Sequence, residues 1–464
     1  MRFARIVILL CAACQALASQ DATDALSREF QSALEHFNAG QYAAAQQELE
    51  PLTRALPDNF DVQELLGQVY SAEGQEERAT APFERAVRLQ PKSGPARNNL
   101  AANLARLGKS ELAEKEFKKV VALEPDSFDA NHNLGEFYIR LGKIATAIPS
   151  LAKAQSENPA SYDNGYDLAL ALQQTGRLPE ARQQIEALLK AKDTAELHNL
   201  LAEVEERAGH FVAAVNEFET AAHMDPSESN LFDWGGELLV HQTPEPAIEV
   251  FSQGLKRYSD SARLTVGLGL ALDLKGSFDD AVKALLRATD LNPSDLRAYY
   301  FLSKAYDRSP NQADEVIEHF RRFAELRPRD SQAAFYYAMS LWKGKRSETS
   351  SEYLDQVESL LKSAVALDPS SAEAHLQLGN LYSQRGNYAD AVPEYQRALS
   401  LSPSVPDAHF RLGQAYTRLG QKELAQREFQ LHHQLYEQHL ADVDKQRSEI
   451  KQFVYSMKGT AAGQ

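Results

Sequence analysis

Prolines that recur at one constant step constrain the fold of this chain more than any other feature. Pro57, Pro91, Pro125 and Pro159 are evenly spaced, the same step returns between Pro369 and Pro403, and Pro226, Pro293 and Pro328 continue the series with small slips. A fixed period marks a repeat architecture, in which each unit contacts mainly its neighbours and cannot bury its apolar face alone. A step of about 34 residues fits one helix-turn-helix unit.

Other residues travel with the proline. In the repeat that ends at Pro403, Leu378 and Gly379 fall in the first helix, Tyr382 one turn later, Gly386 at the turn, and Ala391, Tyr395 and Ala398 along the second helix. The next repeat holds Leu412, Gly413, Tyr416, Gly420, Ala425 and Phe429 at the same places. The repeat ending at Pro91 holds Leu66, Gly67, Tyr70, Gly74, Ala79, Phe83 and Ala86, and the one ending at Pro159 holds Leu134, Gly135, Tyr138, Gly142, Ala147, Leu151 and Ala154. A small residue in the first helix lets the paired helix approach, and a larger one there would overpack the contact by about 1–3 kcal/mol. Glycine at the turn permits a left-handed helix end. Two residues after the proline comes a helix N-cap, as at Ser93, Ser127, Ser161, Asp295, Asp330 and Ser371. Val405 departs from this rule, but Pro406 behind it suits the first helical position.

This pattern resembles the tetratricopeptide-repeat family, from about Ser27 to about Phe429. The resemblance implies an all-α chain, a right-handed superhelical solenoid of about twelve helix-turn-helix repeats. Their starts fall near residues 26, 60, 94, 128, 162, 195, 229, 262, 296, 331, 372 and 406. Three repeats are irregular. The one near 229 lacks its closing proline and has Thr243-Pro244 at its turn; the one near 296 has Asp307 to Asn311 there; the one near 331 carries roughly seven extra residues around Lys345 to Asp355. That insertion reads either as a tolerated loop or as part of a binding face. From Gln430 to Tyr455 the sequence turns polar with an intermittent apolar face, which reads as a helix capping the last repeat. The expected organisation is a leader over 1–18, the array over 26–429, and a capping helix with a flexible tail over 430–464.

The leader reading rests on Arg2 and Arg5 before an apolar Ile6 to Ala13, then Ala16-Leu17-Ala18 as a cleavage site before Ser19. It predicts an exported protein, periplasmic or extracellular, with lipid anchoring through Cys14 as the alternative. The only cysteines, Cys11 and Cys14, would leave with the leader. The apolar run is too short to span a bilayer, so no integral membrane span is expected. The net charge of -16 argues against nucleic acid as a partner.

No P-loop, G-x-S-x-G or H-E-x-x-H occurs, and Gly267-x-Gly269 lies in a helix with no strand before it. His375 and His409, one repeat apart, read as core histidines, and His432, His433 and His439 as a solvated face. No enzyme activity, cofactor or metal is expected. By resemblance, first helices line a concave groove through the second, fifth, ninth, twelfth and thirteenth positions of each repeat. The middle repeats place acidic groups there, among them Glu136, Asp163, Glu196, Glu203, Glu206, Asp233 and Glu237. The later repeats place apolar ones, including Leu270, Tyr300, Phe335, Met339, Trp342, Leu376 and Phe410. Phe335, Met339 and Trp342 share one helix face by their spacing, and Tyr300 matches Phe335 one repeat earlier. They read either as an anchor for a partner or as core. The expected function is an extracytoplasmic scaffold for a protein or peptide partner. The alternatives are a non-catalytic subunit that presents substrates to a separate enzyme, and a structural part of envelope or polysaccharide assembly.

Overall fold

The structure, a computed structural model, describes residues 25–309, 311–344 and 352–437. The leader with its cysteines, most of the insertion after Gly344, His439 and the last part of the expected capping helix lie outside these residues. Contacts divide the chain into one unit up to Asp193 and a second from Thr194.

The first unit contains α1 (25–38), α2 (Tyr42–Ala55), α3 (Phe60–Ala72), α4 (Glu76–Leu89), α5 (Gly94–Arg106), α6 (Ser110–Leu123), α7 (Phe128–Arg140), α8 (Ile144–Glu157), α9 (Tyr162–Gln174) and α10 (Leu178–Ala191). The second contains α11 (Ala195–Arg207), α12 (Phe211–Met224), α13 (Glu228–Val240), α14 (Pro244–Arg257), α15 (Ala262–Lys275), α16 (Phe278–Leu291) and α17 (Leu296–Arg308). It continues through α18 (Ala313–Leu326), α19 (Ser331–Gly344), α20 (Glu352–Leu367), α21 (Ala372–Gln384), α22 (Tyr388–Leu401), α23 (Pro406–Arg418) and α24 (422–437). Among the described residues these make twelve helical pairs and no strand. The first helices start within one residue of the register read from the prolines.

The repeated residues do what their chemistry suggests. Ser93, Ser127, Ser161 and Ser371 cap their helices by accepting from the N–H of Ala96, Ala130, Asn164 and Ala374 at 3.2–3.4 Å. Gly74 and Gly142 end first helices at φ 72° and 69°, where a Cβ is penalised. The two irregular turns lack a glycine, and glutamines take its place: Gln242 at φ 54° and Gln312 at φ 66°. The Thr243 hydroxyl supports the first of these turns by donating to the Leu238 carbonyl at 2.8 Å.

Close approach sets the packing within each pair. A Cβ added at Gly67 would lie 2.6 Å from the Phe83 ring, and one at Gly379 would lie 2.8 Å from the Tyr395 ring. Gly267 and Gly269 are close-approach residues too: Gly269 meets Leu285 within its own pair, and Gly267 meets Phe251 of the preceding pair. His375 and His409 are buried. Each ring is clamped between a carboxylate on the second helix, Glu394 or Glu428 at 2.6 Å, and the carbonyl of the preceding Pro369 or Pro403. The repeat near 331 resumes with α20, whose first turn already includes Asp355.

Candidate functional site

In the second unit, α19, α21 and α23 set equivalent residues side by side. Asn380 and Gln414 are one repeat apart, as are Gln384 and Arg418, and Gln377 and Arg411. Across the longer repeat before them, Met339 matches Asn380, and Lys343 matches Gln384. On each helix these positions are three to four residues apart, so they share one face. They line a cavity of 1090 Å³, together with Trp342 and Asp307 and backed by Tyr395.

Internal hydrogen bonds fix much of this wall. The Trp342 indole N–H donates to Gln384 Oε1 at 3.1 Å. The Asn380 amide donates to Gln377 Oε1 at 3.0 Å and accepts from the Tyr395 hydroxyl at 2.9 Å. That hydroxyl also meets Ser383 Oγ at 3.0 Å. Burial raises the Tyr395 phenol above its ordinary range, so it stays a neutral donor. The charges on the wall are partly matched: Lys343 stands 3.6 Å from Asp307, and Arg411 stands 3.5 Å from Asp407.

The structure distributes the apolar residues named from the sequence. Trp342 and Phe335 are each only 8% exposed, whereas Tyr300 is 45% exposed. Met339 is half-buried and lines both the large cavity and a second one of 130 Å³, which Phe335, Tyr336 and Tyr306 also line. Burial pushes the Tyr306 and Tyr336 phenols up to about 12. Leu270 and Leu376 are half-buried against the core, and Phe410 packs on Phe429 and His432 at 5.8 and 5.2 Å between ring centres. The four residues Tyr300, Phe335, Met339 and Trp342 therefore do not form one exposed patch; Met339 and Trp342 form the apolar part of the cleft.

The acidic positions also divide. Glu203 is exposed. Glu237 is buried and meets His241 Nε2 at 3.0 Å, so it is engaged inside the protein. Glu206, Glu237 and His241 bring ligand-type atoms within 4.8 Å of one another, a set able to hold a divalent ion. The sequence signal for this group is the carboxylate four residues before the histidine, which the search for H-E-x-x-H passes over.

In the first unit, burial raises the Asp167 carboxyl, and the neighbouring Glu136 and Asp163 reinforce the shift while His132 opposes it. The folded state thus holds a proton on Asp167 more readily than the unfolded chain does. Its contribution to stability falls as pH rises through the window between the unfolded value, about 3.9, and the higher folded one. Asp167→Asn is therefore expected to raise the melting temperature at pH 7. The gain over the parent should vanish on acidification below that window, and paired thermal melts across pH check it.

Family models described as tetratricopeptide repeat match residues 30–94, 94–127, 116–148, 138–204, 233–295, 275–331 and 360–392, and one described as TPR repeat matches 379–420. Lipopolysaccharide assembly protein B of Escherichia coli (strain K12) is 27% identical over 177 residues, 37% of this chain and 42% of that protein. Protein O-mannosyl-transferase TMTC1 of Homo sapiens is 23% identical over 155 residues, 33% of this chain and 17% of that protein. The chain thus spans less than half the length of either relative. Among solved structures, Naa15/Naa10 bound to HypK-THB aligns with a TM-score of 0.40 at 16% identity, over 88% of this chain and 68% of that one. A crystal structure of YrrB, described as a TPR protein with an unusual peptide-binding site, aligns with a TM-score of 0.36 at 17% identity, over 39% of this chain and 94% of that one. Among the described residues, no helix is long and apolar enough to cross a membrane.

Proposed function

We propose, from the premise that this chain belongs to the tetratricopeptide-repeat family, that it is a non-catalytic scaffold holding a segment of a partner protein in the cleft along α19, α21 and α23. The observation that carries this reading is the stacked set of polar side chains at equivalent places of successive repeats, facing a 1090 Å³ cavity with Met339 and Trp342 in its wall. Such a wall combines an apolar anchor site with hydrogen-bonding groups that fix orientation, the usual anatomy of a binding surface.

We place the protein outside the cytoplasm. The reading of residues 1–18 as an export leader supports this, and so does the partial likeness to a protein named for lipopolysaccharide assembly. The same likeness favours envelope assembly as the setting in which the scaffold works.

Site-specific cross-linking tests the reading. A photoreactive residue at Met339 or Gln414, in the full chain made in its own cells, is expected to trap one defined protein. The same residue at Gln253, exposed on the second helix α14, should trap it weakly or not at all. Equal trapping at Gln253, or trapping only there, would move the binding surface off the cleft.

A further inference from the structure

We infer that this cleft is a hydrogen-bond donor surface, built to take an extended segment rich in acidic side chains. The inference rests on the scaffold reading above and adds the chemistry of the partner.

An indole N–H can only donate. Trp342 therefore requires Gln384 to turn its oxygen inward, at 3.1 Å, and the Gln384 amide nitrogen is left for the cleft. A second chain of bonds ends the same way. Because the Tyr395 hydroxyl donates to Asn380 Oδ1 at 2.9 Å, it accepts from Ser383 at 3.0 Å. Asn380 then donates to Gln377 Oε1 at 3.0 Å, and the Gln377 amide nitrogen is the group left over. Among the described residues neither leftover nitrogen donates to another protein atom. In both chains the amide oxygens accept within the wall, and the chains end on N–H groups that have no acceptor among the described residues. Bonds linked head to tail in this way strengthen one another.

The next repeat places guanidinium groups at the same two positions: Arg411 at that of Gln377, and Arg418 at that of Gln384. Asp407 occupies part of Arg411, whose five donors exceed what one carboxylate can accept. Among the described residues Arg418 has no carboxylate partner. Donors thus recur on both repeats, while the lining carboxylates, Asp307 and Asp407, already face Lys343 and Arg411. The complement of such a wall is a ligand of acceptors: main-chain carbonyls for the amides, and carboxylates for the guanidinium groups. This local preference runs against the net charge of -16, so it is a property of the cleft and not of the whole surface.

Two fluorescein-labelled peptides, of repeated Glu-Pro and repeated Lys-Pro, test this against the full chain by anisotropy. Proline halves the backbone donors and keeps both peptides extended, so the peptides differ in the Glu or Lys side chain, an acceptor in one and a donor in the other. The Glu-Pro peptide is expected to bind about tenfold or more tightly than the Lys-Pro peptide. Gln384→Glu keeps the oxygen for Trp342 and replaces the donor with a second acceptor, so it should erase or invert that preference. Gln377→Glu is the parallel variant if the first fails to fold by circular dichroism. Equal binding of the two peptides, no binding of either, or a preference untouched by the variants would overturn the inference. Competition by free glutamate at the same residue concentration would also overturn it, by reducing the ligand to a single carboxylate group. Cross-linking of a partner at Met339 reads the scaffold function separately and can succeed while this inference fails.

Discussion

Replacing Phe251 with alanine is expected to destabilise the protein by about 3–5 kcal/mol, the range for a buried aromatic ring. Phe251 has no exposed surface, and it sits on α14 between the first helices α13 and α15. Each of those helices leaves a notch for its ring. A Cβ at Gly235 would come within 2.6 Å of the ring, and one at Gly267 within 2.5 Å. One side chain thus fills two glycine notches in successive repeats, so its loss opens a cavity that spans both. The converse change follows from the same geometry. Gly267→Ala gains up to about 1 kcal/mol in helix propensity and loses about 1–3 kcal/mol to overpacking. Overpacking wins, because Gly235 blocks the ring from swinging the other way. In a Phe251→Leu background the Gly267→Ala penalty should shrink, which a double-mutant cycle by urea titration would read as coupling. A loss below about 1 kcal/mol for Phe251→Ala would mean that α13 to α15 close over the gap. Protection of α13–α15 amides from hydrogen exchange would fall most, because each repeat leans mainly on its neighbours.

The array was legible because its determinants repeat. Proline spacing located the units, and the glycine opposite an aromatic or leucine identified the paired helices. Caps such as Ser371 set the starts within a residue. What repeats less faithfully was harder to read. Gln242 and Gln312 take left-handed turns with no glycine to announce them. Asn380, Gln384, Gln414 and Arg418 fill the ninth and thirteenth places of their repeats and line the cavity, but polar residues at such places look like any solvated helix face in a sequence. Aromatic residues stand out at such places, but a sequence does not show how deeply the fold buries them. Phe335 and Trp342 are both buried. The role of Gln384 depends on an indole 42 residues earlier, across the longest repeat, where the period slips. Hydrogen-bond polarity of this kind has no periodic trace.

Trp342 should separate fold from binding in one position. Its ring is buried apart from an edge on the cleft, and its N–H orients Gln384. Trp342→Ala is expected to lose about 3–5 kcal/mol of stability, since it removes a large ring from between α19 and its neighbours. A binding loss in that variant is uninformative by itself, because the wall of the cleft moves with the ring. Trp342→Phe keeps most of the apolar volume and deletes the donor. The lost hydrogen bond should cost only about 1 kcal/mol. Gln384 is then free to rotate its amide and present oxygen to the cleft, so capture of the cross-linked partner should weaken even though the fold survives. Phe335→Ala supplies the contrast: that residue lines the 130 Å³ cavity and not the larger one, so it should lower stability with little change in affinity per folded molecule. Melting curves and partner titrations on the three variants decide the matter. Unchanged affinity in Trp342→Phe would show that the indole serves packing alone and that the orientation of Gln384 is set elsewhere.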